Sequence, residues 1–275
     1  MPNTTGIKFL YQDSVGAYKF DNPGSNVLSV TSQATGDHGK VNLTTTPLRE
    51  TWRSATVASW QEIIIAANDV NVIPDTFALL NHNLTEIAVV QLQGSTSPTF
   101  NVIGFTLGIT WSERHMVLQQ DIGQAYPYYR IRILDPTNPC GYIEIGRIIG
   151  GKSFYMTNNE DITDDFSISP ADKAYKMPTE GFFRAFNERV KVDKLQIRFD
   201  KLWTTNTPSD PNRNYNYKEL LKMFKEVGET YPFLTILDPE DAAFETIWGV
   251  VDALPTRTHT VNRYVTMSFA IQEQY

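Results

Sequence analysis

Apolar and polar residues alternate with a period of two along much of the chain. Clear examples are residues 7–11, 129–133 and 195–199. Because successive side chains of a strand point to opposite faces, this pattern predicts strands with one buried and one solvated face. The chain is therefore predicted to be mainly β, in the range from all-β to α+β.

Short strands recur between residues 41 and 147, separated by Asn, Gly, Pro and Ser. They are predicted at 59–67, 76–80, 86–93, 99–103 and 128–134. Strands at this spacing are typical of an antiparallel sandwich, of jelly-roll or discoidin-like type. Residues 143–151 read as a strand that runs into a turn at Gly150 and Gly151, so a domain boundary is expected near residue 150.

The C-terminal part mixes strands with one helix. Strands are predicted at 181–202, 232–237 and 263–271, with a polar loop at 204–216. Leu220, Leu221, Phe224 and Val227 form one stripe of a short helix, which Gly228 is placed to end. The predicted domains are an N-terminal β segment or arm (1–40), a sandwich (41–150) and a β-rich α+β assembly domain (151–275).

Composition narrows the functional classes. A hydrophobic fraction of 41% and a charged fraction of 20% in 275 residues predict a globular chain with a sizeable core. The net charge of −7 and the scattered Lys and Arg argue against nucleic acid as a partner. The start of the chain lacks a signal pattern and residues 63–67 are too short for a span, so cytoplasmic synthesis without membrane insertion is expected.

Candidate metal and redox chemistry is sparse. Cys140 is the single cysteine, which leaves no intrachain disulfide or thiolate cage, and it is either a reactive thiol or a bystander. The histidines are dispersed, although a site built from distant residues stays open. The acidic run at 160–165 is interpreted as a solvated loop, with calcium as the alternative. No metal or cofactor is predicted. The four histidines are His38, His82, His115 and His259.

The sequence also lacks a catalytic signature. There is no Gly-x-Ser-x-Gly elbow. Residues 146–153 have the glycine, lysine and serine spacing of a phosphate loop, but no helix start is visible after them, so a tight turn or a close backbone approach is predicted there rather than a phosphate site. A non-enzymatic protein is predicted, with no catalytic residue. A hydrolase remains an alternative, because glycosidase carboxylates pair in space rather than in sequence.

One aromatic cluster is a candidate for a surface. Tyr126, Tyr128 and Tyr129 stand together in a chain with 12% aromatic residues, and their rings are predicted to face a ligand or partner. The alternative is that they belong to the core, since sandwich cores use the same residues to bury area.

Several short segments, taken in their order along the chain, resemble those of a known family. They are residues 73–84 with the turn Asn81-His82-Asn83-Leu84, residues 89–95, residues 129–133 followed by 142–148, and residues 233–239. These segments resemble the discoidin-like (galactose-binding-like) sandwich proteins of bacteriophage tails, near the distal tail or baseplate.

The resemblance implies a structural virion protein, assembled in the host cytoplasm. Such a protein is expected to form a ring of six copies that connects the tail tube to other tail-tip and baseplate proteins. The long non-periodic segments 1–6, 44–51, 158–176 and 204–216 are then candidates for interfaces. The alternative is a carbohydrate- or host-receptor-binding module that contacts a surface glycan.

Overall fold

The chain folds into two compact units of mainly antiparallel β structure. The computed structural model describes residues 6–13, 26–156, 165–171, 174–179, 182–187, 192–205, 215–237, 246–261 and 263–274. One unit comprises Met1–Tyr155 with Leu234–Thr246, and the other comprises Met156–Phe233 with Ile247–Tyr275. The prediction of a mainly β protein with a sandwich and one short helix is confirmed.

The first unit contains the sandwich. Its strands are β1 (Lys8–Leu10), β2 (Val27–Val30), β3 (Trp52–Arg53), β4 (Gln61–Ala66), β5 (Thr76–His82), β6 (Val89–Ser95), β7 (Phe105–Gly108), β8 (His115–Gln119), β9 (Tyr128–Leu134), β10 (Glu144–Gly151) and β11 (Phe154–Tyr155). One sheet has the order β2-β4-β9-β6-β7 and the other has the order β3-β10-β5-β8. Strand β1 pairs with β11.

Side chains from both sheets form one core. Strands β4 and β9 alternate strictly between buried and half-buried positions, as their sequence period requires. Ile63 and Ile131 from the five-stranded sheet join Trp52, Phe77 and Ile148 from the four-stranded sheet in a single buried cluster. This closed core leaves only the outer faces and the loops of the sandwich for function.

The second unit also consists of antiparallel strands, with the one α-helix that the described residues contain. Its elements are β12 (Asp165–Ala171), β13 (Ala174–Thr179), β14 (Phe182–Asn187), β15 (Val192–Trp203), α1 (Tyr215–Val227), β16 (Phe233–Ile236), β17 (Thr246–Val251), β18 (Thr256–Val261) and β19 (Tyr264–Glu273). Strand β19 pairs with β15, β17 and β18. Most of β16 belongs to the first unit, where it pairs with β1.

Helix α1 follows its predicted stripe. Leu220, Phe224 and Val227 are buried, and the Phe224 ring lies 4.8 Å from that of Phe269. Gly228 has a φ of +56° and ends the helix, because glycine adopts this left-handed conformation without steric cost. No helix in the described part of the chain is long and apolar enough to span a bilayer.

Two predictions from the local pattern were wrong. The strand expected at 99–103 is a turn in which Phe100 has a φ of +53°, and β7 begins only at Phe105. Gly150 and Gly151 do not form a turn but pair within β10 with Phe77 and Thr76. Strand β2 lies within the predicted N-terminal β segment or arm at 1–40, and it pairs with β4 of the five-stranded sheet.

Strand β10 is buried along nearly its whole length and carries a charge inside. A Cβ atom at position 146 would lie 2.5 Å from the carbonyl oxygen of Leu48, so only glycine fits there. The next residue, Arg147, is fully buried and donates to the carbonyl oxygens of Thr44 (2.6 Å) and Thr45 (2.8 Å). Its guanidinium lies 3.3 Å from the carboxylate of Asp13, which is also buried.

Removal of the Asp13 carboxylate should destabilise the first unit strongly. Asp13→Ala would leave the Arg147 cation buried without its counter-charge, a defect that costs about 3–5 kcal/mol. Urea unfolding should show this loss for Asp13→Ala, whereas Asp37→Ala, at an exposed carboxylate, should change stability by less than about 0.5 kcal/mol. Equal stability of the two variants would contradict a supporting role for the buried ion pair.

Candidate functional site

The predicted aromatic surface is not formed as expected. Tyr126 and Tyr129 are only 6% and 1% exposed and belong to the core, where Tyr129 Oη accepts a hydrogen bond from the Tyr126 amide at 3.1 Å. Tyr128 is half-buried on the opposite face of β9. Adjacent residues of a strand point to opposite sides, so a Tyr-Tyr pair cannot present both rings to one ligand. Tyr126 and Tyr129 are therefore corrected to core residues.

Loops at one end of the sandwich line an open cleft that contains many polar side chains. Its large lobe has a volume of about 690 Å³ and its small lobe a volume of about 260 Å³. Asp121 and Lys152 line both lobes, so the two adjoin. The other residues of the large lobe are Gln12, Asn68, Asp69, Asn71, Val72 and Ile73. The other residues of the small lobe are Lys8, Asp75, Gln119, Gln120, Ser153 and Tyr155.

Asp75 joins two of the elements around the small lobe. It precedes β5, and its Oδ1 accepts hydrogen bonds from the Ser153 amide and hydroxyl, both at 2.9 Å, and from the Thr76 hydroxyl at 3.0 Å. Lys152 Nζ lies 2.8 Å from Oδ2. Burial by itself would raise the pKa of Asp75, but the hydrogen bonds from Lys152 and Ser153 outweigh burial and lower that pKa.

Lys8 reaches the small lobe from β1. Its ammonium group donates to the side-chain oxygen of Gln119 at 2.6 Å. Partial burial lowers the pKa of Lys8, the nearby charge of Asp75 opposes this shift, and the Lys152 cation adds to it. The Lys152 pKa is raised, chiefly by its hydrogen bond to Asp75. The two lysines therefore occupy different electrostatic environments in one lobe.

The carboxylates of the large lobe are held by their own loops. Asp69 Oδ1 accepts from the Asn71 amide (2.9 Å) and side chain (3.1 Å), and Asp121 Oδ1 accepts from the Gly123 amide (2.8 Å). Such local bonds orient a carboxylate while leaving its remaining lone pairs available. The cleft thus presents fixed hydrogen-bond acceptors and donors with apolar Val72 and Ile73 beside them.

The outer face of the five-stranded sheet carries a second polar cluster, in which the charged side chains pair with one another. Glu62 accepts from Arg132 at 2.9 Å and lies 3.3 Å from Arg130. The Arg132 guanidinium stacks 4.3 Å from the Trp60 ring, and that of Arg130 stacks 4.5 Å from the Phe100 ring. Because the rings are covered by the protein's own arginines, this face offers fewer free groups than the cleft.

The described histidines form no metal site. Among the residues that the structure describes, no group of three His, Cys, Asp or Glu side chains is placed to hold an ion. Cys140 is exposed and not in a disulfide. The acidic run at 160–165 lies outside the described residues except for Asp165, and the predicted interface segments fall partly outside them.

His82 and His115 are neighbours on β5 and β8, inside the sandwich. Burial lowers the pKa of His82 to about 4, against the opposing effects of Ser112 and Asp135. Burial, the Arg114 cation and His82 together lower the pKa of His115 to about 3. Both side chains are therefore neutral at pH 7, and each Nδ1 accepts a backbone N–H.

The comparisons with known proteins give a resemblance of fold only. No family model matches the chain, and no curated protein matches it. Solved structures share the sandwich over about half of the chain, at low identity. A Clostridium perfringens CBM32 module in complex with GalNAc-β-1,3-galactose shows 14% identity and a TM-score of 0.37, covering 47% of this chain and 98% of that one.

Two further structural neighbours bind different kinds of partner. Chitosan-binding module 1 from a Paenibacillus sp. IK-5 chitosanase/glucanase has 12% identity and a TM-score of 0.37, with 49% of this chain and 96% of that chain covered. Reduced XRCC1 bound to the DNA polymerase β catalytic domain has 14% identity and a TM-score of 0.36, with 46% and 95% covered. These neighbours include carbohydrate-binding and protein-binding molecules, so they assign no ligand to the cleft.

Buried His115 and half-buried His82 should make the sandwich labile to acid. Since their folded pKa values lie below the unfolded value of about 6.5, the unfolded chain binds more protons, and stability falls as the pH drops below that value. At pH 4 each histidine should cost roughly 3 kcal/mol relative to pH 7. Urea unfolding of His82→Asn/His115→Asn should show a shallower loss between pH 6.5 and 4. An unchanged pH dependence in this variant would contradict the assignment.

Proposed function

We propose that the sandwich of this protein is a non-enzymatic saccharide-binding module and that the loop cleft is its binding site. The observation that carries this proposal is the cleft itself, with adjoining lobes of about 690 and 260 Å³ and oriented polar walls. The volume of the large lobe lies within the range that is typical of small-molecule sites, roughly 300–1,000 Å³, and the small lobe adjoins it. Loops held by a rigid β scaffold are also where binding residues are commonly found.

The chemistry of the walls suits a polyhydroxylated ligand. A sugar hydroxyl both donates and accepts, and the carboxamides of Asn71 and Gln120 offer both functions while the carboxylate of Asp121 accepts. Tyr155 is 49% exposed and lines the small lobe, and an aromatic side chain can pack against the apolar C–H side of a pyranose. The apolar side chains of Val72 and Ile73 provide a similar surface in the large lobe.

Three features favour binding over catalysis. Asp75 has a lowered pKa, which is the opposite of what a glycosidase general acid needs. The Ser153 hydroxyl donates to Asp75, and no histidine lines either lobe among the described residues. A serine activated by a histidine base is therefore not assembled in this part of the cleft.

Saccharide binding should be measurable and should depend on the cleft. Screening on an array of neutral and acidic oligosaccharides, followed by calorimetry on the best binder, should give affinity that falls at least tenfold in Asn71→Ala and Tyr155→Ala, because each removes a direct contact. Asp37→Asn, at an exposed residue that lines neither lobe, should bind like the wild type. Failure of every saccharide to bind, or equal binding by all variants, would refute the proposal.

A second candidate is a structural ring component of a phage tail, placed in the virion and joined to other tail-tip proteins. It is supported by the family resemblance. Two of the segments that resemble this family are hydrogen-bonded to each other: Asn83 Oδ1 accepts from the Glu144 amide (2.8 Å), and Asn83 Nδ2 donates to the Tyr142 carbonyl (2.9 Å). In addition, the five-stranded sheet ends in two different edges, β2 and β7. Ring closure uses two different patches on each subunit.

The ring candidate predicts a specific copy number. Cryo-electron microscopy of purified particles should show six copies around the tail axis, with different edges of neighbouring sandwiches in contact. The mass of the isolated protein in solution provides an independent check on self-association. Copies at the periphery of the particle with the cleft facing outward would instead favour saccharide or receptor binding.

A further inference from the structure

We propose that the small lobe of the cleft binds the carboxylate of an acidic sugar, a uronate, through the ammonium group of Lys8. This inference rests on the proposed saccharide-binding function and makes it more specific. The proposed function leaves the class of saccharide open, and this inference names it.

Lys8 has a polar partner but no charged one in the described part of the chain. Its Nζ donates to the neutral carboxamide oxygen of Gln119 at 2.6 Å. No carboxylate among the described residues lies within 4 Å of it, whereas Lys152 is paired with Asp75 at 2.8 Å. The small lobe therefore contains one lysine with an ion-pair partner and one that has no carboxylate at ion-pair distance among the described residues.

Partial burial makes this difference matter. Withdrawal of Lys8 from water destabilises its charged form, as the lowered pKa indicates, and Asp75 compensates this only in part. A carboxylate that enters the lobe would supply the missing counter-charge in a charge-assisted hydrogen bond, which is roughly twice as strong as a neutral one. Binding would thereby relieve a cost that is present in the unliganded protein.

The other groups of the lobe favour a carboxylate that is carried on a sugar ring. Asp75 is occupied by Lys152, Ser153 and Thr76, so it does not compete for Lys8 at ion-pair distance. Asp121 lies close enough to Lys152 to raise its pKa, and it is available to accept from a hydroxyl. Gln120 and the exposed ring of Tyr155 complete a surface that a small inorganic anion would not use.

The test compares charged and uncharged forms of the same oligosaccharides. Calorimetry is performed with trisaccharides of galacturonate, glucuronate and mannuronate and with their methyl esters. At least one acid should bind ten or more times tighter than its ester. Lys8→Gln should reduce the affinity for the acid to that of the ester, and Lys8→Arg should retain the preference. Lys218→Gln, at an exposed lysine of α1, controls for general electrostatics.

The outcomes separate this inference from the function on which it rests. If neutral sugars bind while no uronate is preferred over its ester, the uronate inference is overturned and saccharide binding stands. If acetate or phosphate at equal concentration displaces the uronate, the lobe is a simple anion site and the inference is also overturned. If no saccharide of any kind binds, the proposed function itself fails. Loss of the preference in Lys8→Arg, with wild-type thermal stability, would contradict the role of the charge.

Discussion

The buried ion pair between Arg147 and Asp13 connects the parts of the first unit on which the cleft depends. A guanidinium in a core is tolerated only when its charge and its N–H groups are matched. Here the match comes from two distant places in the chain, the carboxylate of Asp13 and the carbonyls of Thr44 and Thr45. Asp13 also accepts a hydrogen bond from the amide of Gly150, on the strand that carries Arg147. The N-terminal segment is thereby held against β10.

The position of β10 in turn determines the small lobe. The strand ends at Gly151, and the following turn brings Lys152 and Ser153 to Asp75 at the start of β5. The N-terminal segment brings Lys8 to Gln119 at the end of β8. Because these polar groups are oriented by the protein before any ligand arrives, a ligand would lose less free energy to side-chain ordering than at a mobile surface.

Aromatic residues on this sandwich show why composition alone is a poor guide to binding. Tyr126 and Tyr129 add area to the core, and Trp60 and Phe100 are covered by the guanidinium groups of arginines from β9. Tyr155, which the sequence did not single out, is an exposed aromatic residue that lines the cleft. Exposure of a ring depends on which neighbours reach it, and these neighbours come from other strands.

The period of the sequence determined the mainly β class, the bounds of β9 and the buried stripe of α1, because strand and helix geometry place nearby residues on one face. The turn at 99–103 was missed, since a positive φ at Phe100 overrides local preference there, and the pairing of β2 with β4 depends on a partner far along the chain. The cleft was decided by tertiary structure alone. Lys8, Asp75, Asp121 and Lys152 share no local motif, and they meet only because antiparallel pairing and a buried ion pair bring their loops to one end of the sandwich.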